Sequence, residues 1–90
     1  MLLSFALSPI GRGNVDRATA EDYLNRGNDQ YELGNIEAAI ANYSQAIKMA
    51  PSAPGYYRTR GIARHALGDS KGPLTDLETA VIELKKLGRA

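Results

Sequence analysis

The chain has no cysteine and one histidine, His65. Without cysteine there is no disulfide framework and no thiolate metal site. That absence does not fix the compartment. One histidine among scattered carboxylates offers no multi-ligand set, so no metal is expected. His65 also has no Ser or carboxylate at a triad spacing, and it reads as a surface or groove histidine. Gly11-Arg12-Gly13 is followed neither by a strand–turn–helix pattern nor by Gly-Lys-Ser/Thr, which excludes a phosphate loop. The chain therefore reads as non-catalytic, with no cofactor.

No stretch approaches the ~20 apolar residues that span a bilayer. The N-terminal MLLSFALSPIG has a short apolar run but no basic n-region. Residues 1–18 are expected to form a packed or partly ordered arm. The expected setting is cytoplasmic, with export left open by that apolar segment. A net charge of +1 gives no general pull toward nucleic acid or anionic lipid, and neither is expected as a partner.

What is present is a soluble-type composition: 90 residues, 43% hydrophobic, 23% charged, mean hydropathy −0.33. That argues against disorder. A chain this short makes one small domain with a thin core, burying roughly 60% of the surface its unfolded form exposes. Charge is uneven. Residues 1–45 carry 3 basic and 6 acidic side chains, net −3, and residues 46–90 carry 8 and 4, net +4.

The punctuation predicts four helices. Thr19 caps the first, with Asp22 three residues on as a near capping box. The helix runs from about Ala20 to Leu33, where Gly34 stops it. The second runs from about Glu37 to Met49, with Ala39, Ile40, Tyr43, Ala46 and Ile47 at helical spacing. Pro51 ends it. Ser52 is expected to cap a third helix that tolerates Pro54 in its first turn and runs to about Leu67 before Gly68. The fourth starts between Ser70 and Pro73. Its stripe Leu74, Leu77, Val81 and Leu84 is expected to face its own hairpin, and Gly88 is expected to cap it near Leu87. Lys85, Lys86 and Arg89 suit the negative end of its dipole.

The order then repeats. Residues 54–87 slid under residues 20–53 give Tyr23/Tyr57, Arg26/Arg60, Gly27/Gly61, Leu33/Leu67, Gly34/Gly68 and Ala46/Ala80 as identities. Ile40/Leu74, Ile47/Val81, Asn35/Asp69 and Asn42/Asp76 are close substitutions. Gly27 and Gly61 fall in mid-helix, where Gly costs about 1 kcal/mol relative to Ala. A costly residue that recurs in register implies helices crossing closely.

The 34-residue period, with Tyr23, Gly27, Leu33-Gly34, Ala39, Tyr43, Ala46 and Pro51 in place, resembles the tetratricopeptide repeat family. The second unit departs from that pattern at Pro73, where a small Ala is expected, and at Lys85, where the closing Pro is expected. The Tyr-x-x-Arg-Gly of each unit looks like bacterial members. The resemblance implies an all-α fold: two stacked antiparallel helix–turn–helix repeats at 20–53 and 54–87, in a domain spanning 19–89 behind the N-terminal arm. It also implies a protein-interaction adaptor that holds an extended peptide or a helix in a concave groove.

Carried over by register, that groove is Glu21, Leu24, Asn28, Tyr31 and Glu32 with Gly55, Arg58, Ile62, His65 and Ala66. Arg58 and His65, with Arg64 close by, make one end basic, so a peptide with an acidic segment is expected there. Glu21 and Glu32 make the other end acidic. A subclass of the family grips chaperone C-termini, but Leu24 and Thr59 stand where it needs Lys and Asn, so that ligand is not expected. RNA-reading cousins have a 35-residue period and a basic surface, which this chain lacks.

The alternative is self-association. Stable arrays usually need three or more repeats. MLLSFAL is a plausible cover for the first hairpin, and Val81, Ile82 and Leu87 are expected to form a homodimer or partner patch.

Overall fold

The computed structural model describes residues 18–89. Among them are four helices and no strand: α1 (Ala20–Glu32), α2 (Ile36–Met49), α3 (Pro54–Ala66) and α4 (Gly72–Arg89). The arm and its proposed cover of the first hairpin lie outside the described residues, except for Ala18. Each helix packs on the next in sequence, so α1–α2 and α3–α4 are hairpins and α2–α3 joins them.

Local chemistry sets the ends. Thr19 Oγ1 accepts from the Asp22 N–H at 3.2 Å, and the Thr19 N–H donates to Asp22 Oδ2 at 2.9 Å, completing the capping box. Gly34 and Gly68 have φ of 88° and 92°, the left-handed conformation that glycine takes without a side-chain clash. Around each, two paired backbone bonds close the helix. Gly34 N–H reaches Tyr31 O and Asn35 N–H reaches Gln30 O; 34 residues on, Gly68 N–H reaches His65 O and Asp69 N–H reaches Arg64 O.

Two end signals differ from expectation. α3 is entered from Ala53, with Pro54 in its first turn, and Ser52 is not its cap. α4 passes through Gly88 to Arg89, so Gly88 is not a stop. Instead Asp69 Oδ1 accepts from the Lys71 and Gly72 N–H groups, each at 3.1 Å, and organises the start of α4.

The core is made mostly of small residues. Ala39, Tyr43 and Ala63 form its centre, with Leu24, Tyr31, Ile36 and Ile40 packed around them; Ala46, Ile47 and Ala80 are buried too. Gly27 explains the closeness of α1 and α2. A Cβ there would lie 2.5 Å from Tyr43 Cε1 and 3.2 Å from the Ala39 carbonyl. Gly61 does the same between α3 and α4, where a Cβ would meet Asp76 Cβ at 3.2 Å.

The second hairpin corrects the expected orientation of α4. Its inner face is Pro73, Asp76 and Ala80, not the leucine stripe. Leu74, Leu77, Val81 and Leu84 remain 60%, 43%, 49% and 57% exposed. The reason is steric. Helices meeting across Gly61 leave room for small side chains only, so the large ones turn outward.

Asp76 is the one buried charged residue of the described chain, and it is paired. Arg60 donates from Nε and from a terminal nitrogen to its two oxygens at 3.0 and 2.8 Å, and Arg64 donates at 3.0 Å. Arg60 also donates to Ser44 Oγ at 3.0 Å, so one guanidinium ties α2, α3 and α4 together.

Candidate functional site

Where α1 and α3 diverge above α2, Asn28, Tyr31, Tyr43, Thr59 and Ile62 line an open cleft of about 200 Å³. Tyr43 is its floor. Burial of Tyr43 pushes its phenol above the ordinary tyrosine range, and Tyr31 beside it pushes the same way. The Tyr43 hydroxyl donates to Asn28 Oδ1 at 2.8 Å. That bond fixes the Asn28 amide with its NH2 group free to donate. The Thr59 hydroxyl donates to Gly55 O at 2.9 Å within α3, and Thr59 lines the cleft from that helix. Ile62, half exposed, supplies the apolar side.

The arrangement offers one fixed amide donor, an aromatic floor and an apolar wall. It has no nucleophile–base pair. No cluster of three or more His, Asp or Glu that could hold a metal occurs among the described residues.

Of the expected groove residues, the structure brings Asn28, Tyr31 and Ile62 together here. Leu24 packs against the core instead. Glu21, Glu32, Gly55, Arg58, His65 and Ala66 are exposed on α1 and α3 but do not line the cleft. Arg64 is drawn to Asp76, so it does not add a free charge beside Arg58 and His65. Thr59, weighed by register only as a departure from the chaperone-gripping subclass, also lines the cleft, and Tyr43 lines it although the register did not pick it out. Tyr43 sits on a second helix, and only the missing side chain at Gly27 lets its ring lie between the first helices.

Two hairpins of one register, each crossed at a mid-helix glycine and closed by Leu-Gly-Asn/Asp, now meet a sequence match. Residues 27–68 match the family described as "TPR repeat". The chain belongs to the tetratricopeptide repeat family.

Its repeats are similar to "Tetratricopeptide repeat protein 36" of Danio rerio, 34% identical over 72% of this chain and 35% of that protein. The Mus musculus protein of the same name is 39% identical over 66% of this chain and 32% of that protein. "Serine/threonine-protein phosphatase 5" of Rattus norvegicus is 35% identical over 87% of this chain, but the match takes in only 15% of that protein. The chain thus spans about a third of the length of the first two relatives. These relatives are vertebrate, so the bacterial hint in Tyr-x-x-Arg-Gly finds no support in them. No helix among the described residues is long and apolar enough to cross a membrane.

Proposed function

We propose that this tetratricopeptide repeat pair is a non-catalytic interaction module that holds a peptide or helix of another protein across the α1–α3 cleft. The observation that carries the reading is the Asn28 amide, aimed by Tyr43 into a cleft walled by Tyr31 and Ile62. A fixed donor of this kind suits a backbone carbonyl, and an aromatic floor suits an apolar side chain. Arg58, exposed on the same helix as Thr59 and Ile62, favours a ligand whose segment beyond the cleft is acidic.

The test is selection of displayed peptides against the folded chain, followed by titration of the selected peptides against Thr59→Trp. An indole there fills much of the cleft without removing any core residue. Circular dichroism checks that the variant is folded. Selected peptides should lose most of their affinity for it. Equal affinity for both proteins would place binding elsewhere and end this reading.

The exposed stripe of α4 separately favours self-association, on an observation the cleft does not share.

A further inference from the structure

The 34-residue period relates two helix faces with opposite fates. On α2, Tyr43 and Ile47 are buried and Ile40 is half-buried, as is Ala50 just past its end, with α3 packed on that helix and Ala63 against Tyr43. On α4 the counterparts are Leu74, Leu77, Val81 and Leu84, and all four are exposed. Among the described residues nothing covers the face that continues the α2–α3 interface by one period, and it is more apolar than its covered equivalent. Contiguous apolar surface of this kind on a small protein marks an interface.

We propose that a second copy of this chain covers it, through antiparallel pairing of the two α4 helices about a two-fold axis near residue 79. Three observations select that occupant.

First, the spacing of the stripe is three, four, three, a seam of coiled-coil type. It reads the same from either end. Antiparallel pairing therefore sets Leu74 against Leu84 and Leu77 against Val81, each twice, which is the self-complementarity a two-fold interface needs.

Second, head-to-tail stacking, with α1 taking the place of α3, meets the wrong chemistry. α3 meets the preceding hairpin through Tyr57, which donates to Pro51 O, through Arg60 on Ser44, and through Ala63 in the core. The counterparts on α1 are Tyr23, Arg26 and Asp29. Arg26 lies over the Tyr23 ring at 5.0 Å and is exposed, and Asp29 would press a carboxylate onto Leu77. A buried, unpaired carboxylate is strongly disfavoured.

Third, the seam has a polar border. Glu78 and Lys85 are exposed along one side, and Lys86 is held by Glu83 at 3.2 Å instead of folding over the leucines. An apolar strip with a charged rim is the usual form of a protein interface.

One helix face is small beside the roughly 800 Å² that each partner contributes to a standard stable interface, so the dimer belongs to the weak, concentration-dependent class. Ile82, about 100° around the helix from Val81, stands off the seam. The inference is independent of what the cleft binds.

Sedimentation equilibrium on the full 90-residue chain, from low micromolar to near-millimolar concentration, tests it. The mass should rise from one chain toward two and stop there. Val81→Lys and Leu84→Lys should weaken association at least ten-fold while leaving the helical circular dichroism unchanged, and Ile82→Lys should leave association unaltered. The chain has no cysteine, so crosslinking has no background. A mixture of Leu74→Cys and Leu84→Cys chains should oxidise to a crosslinked dimer faster than either variant alone. A wild type that stays monomeric overturns the proposal. So does association that grows past two chains, which would mean head-to-tail stacking, and so does a Val81→Lys variant that dimerises normally.

Discussion

Glycines 27 and 61 occupy the same repeat position yet differ in what they tolerate. At Gly27 a Cβ would overlap the Tyr43 ring, and Tyr43 is held by its bond to Asn28 and by the core around it. Gly27→Leu should cost about 3 kcal/mol, the upper end of overpacking, measured by urea denaturation. At Gly61 the nearest atom would be Asp76 Cβ at 3.2 Å, a contact a small shift can relieve. There the helix gains about 1 kcal/mol from replacing glycine by alanine, so Gly61→Ala should be close to neutral. A Gly27→Leu melt at the wild-type temperature would contradict the crossing as described.

Asp76 is the other residue whose weight exceeds its size. With two guanidinium groups on it and almost no exposure, its removal strands both charges between helices. Asp76→Ala should cost roughly 3 kcal/mol, and Asp76→Asn, which keeps the shape and one acceptor, should cost less. The first repeat has Asn42 at this position, bonded to the Ala38 carbonyl, while Arg26 rests over Tyr23. The same arginine therefore locks one hairpin and decorates the other.

Among the elements, the start of α4 is the one held by a charge. Asp69 accepts backbone hydrogen bonds from Gly72 and Lys71, which hold its carboxyl below the ordinary value of 3.8, with Arg64 adding in the same direction. A depressed native value means that the contribution is present above the unfolded value and is lost as pH falls through the native one. Asp69→Asn should therefore melt below wild type at neutral pH, and the gap should close as pH drops below about 3.8. Paired thermal melts at neutral pH and at pH 3 would read it, and a gap that did not narrow would mean the charge is immaterial. The two Leu-Gly turns were legible because a left-handed glycine has few substitutes. The capping of α3 was not, because Ser52 and Ala53 differ by one position and only the path of the chain decides which one precedes the helix.

For the molecule as a whole, the two halves of the chain carry net charges of −3 and +4. If the cleft ligand has an acidic segment running toward Arg58, its affinity should fall with added salt. Arg58→Glu should weaken it about ten-fold, near 1.4 kcal/mol. Selected peptides that bound the variant as tightly as wild type would leave the charge asymmetry without a role in recognition.

The sequence by itself determined the four helices of the described residues, the turn glycines and the 34-residue register, and its helical spacing put Asn28, Tyr31 and Ile62 on the faces that line the cleft. Each of these rests on a local constraint, either backbone conformation or helical spacing, that acts without reference to the rest of the chain. Only the tertiary structure decided which face of α4 points inward. Sequence reasoning sends the largest apolar residues to the core, and Leu74 through Leu84 looked like the buried stripe. In a repeat whose hairpins cross at glycine, the space between paired helices admits only Pro73, Asp76 and Ala80, and the large residues are left on the exposed side of α4. The tertiary structure likewise decided that Tyr43 is the floor of the cleft and that Arg64 is spent on Asp76. Both depend on distances between helices, which no pattern within one helix contains.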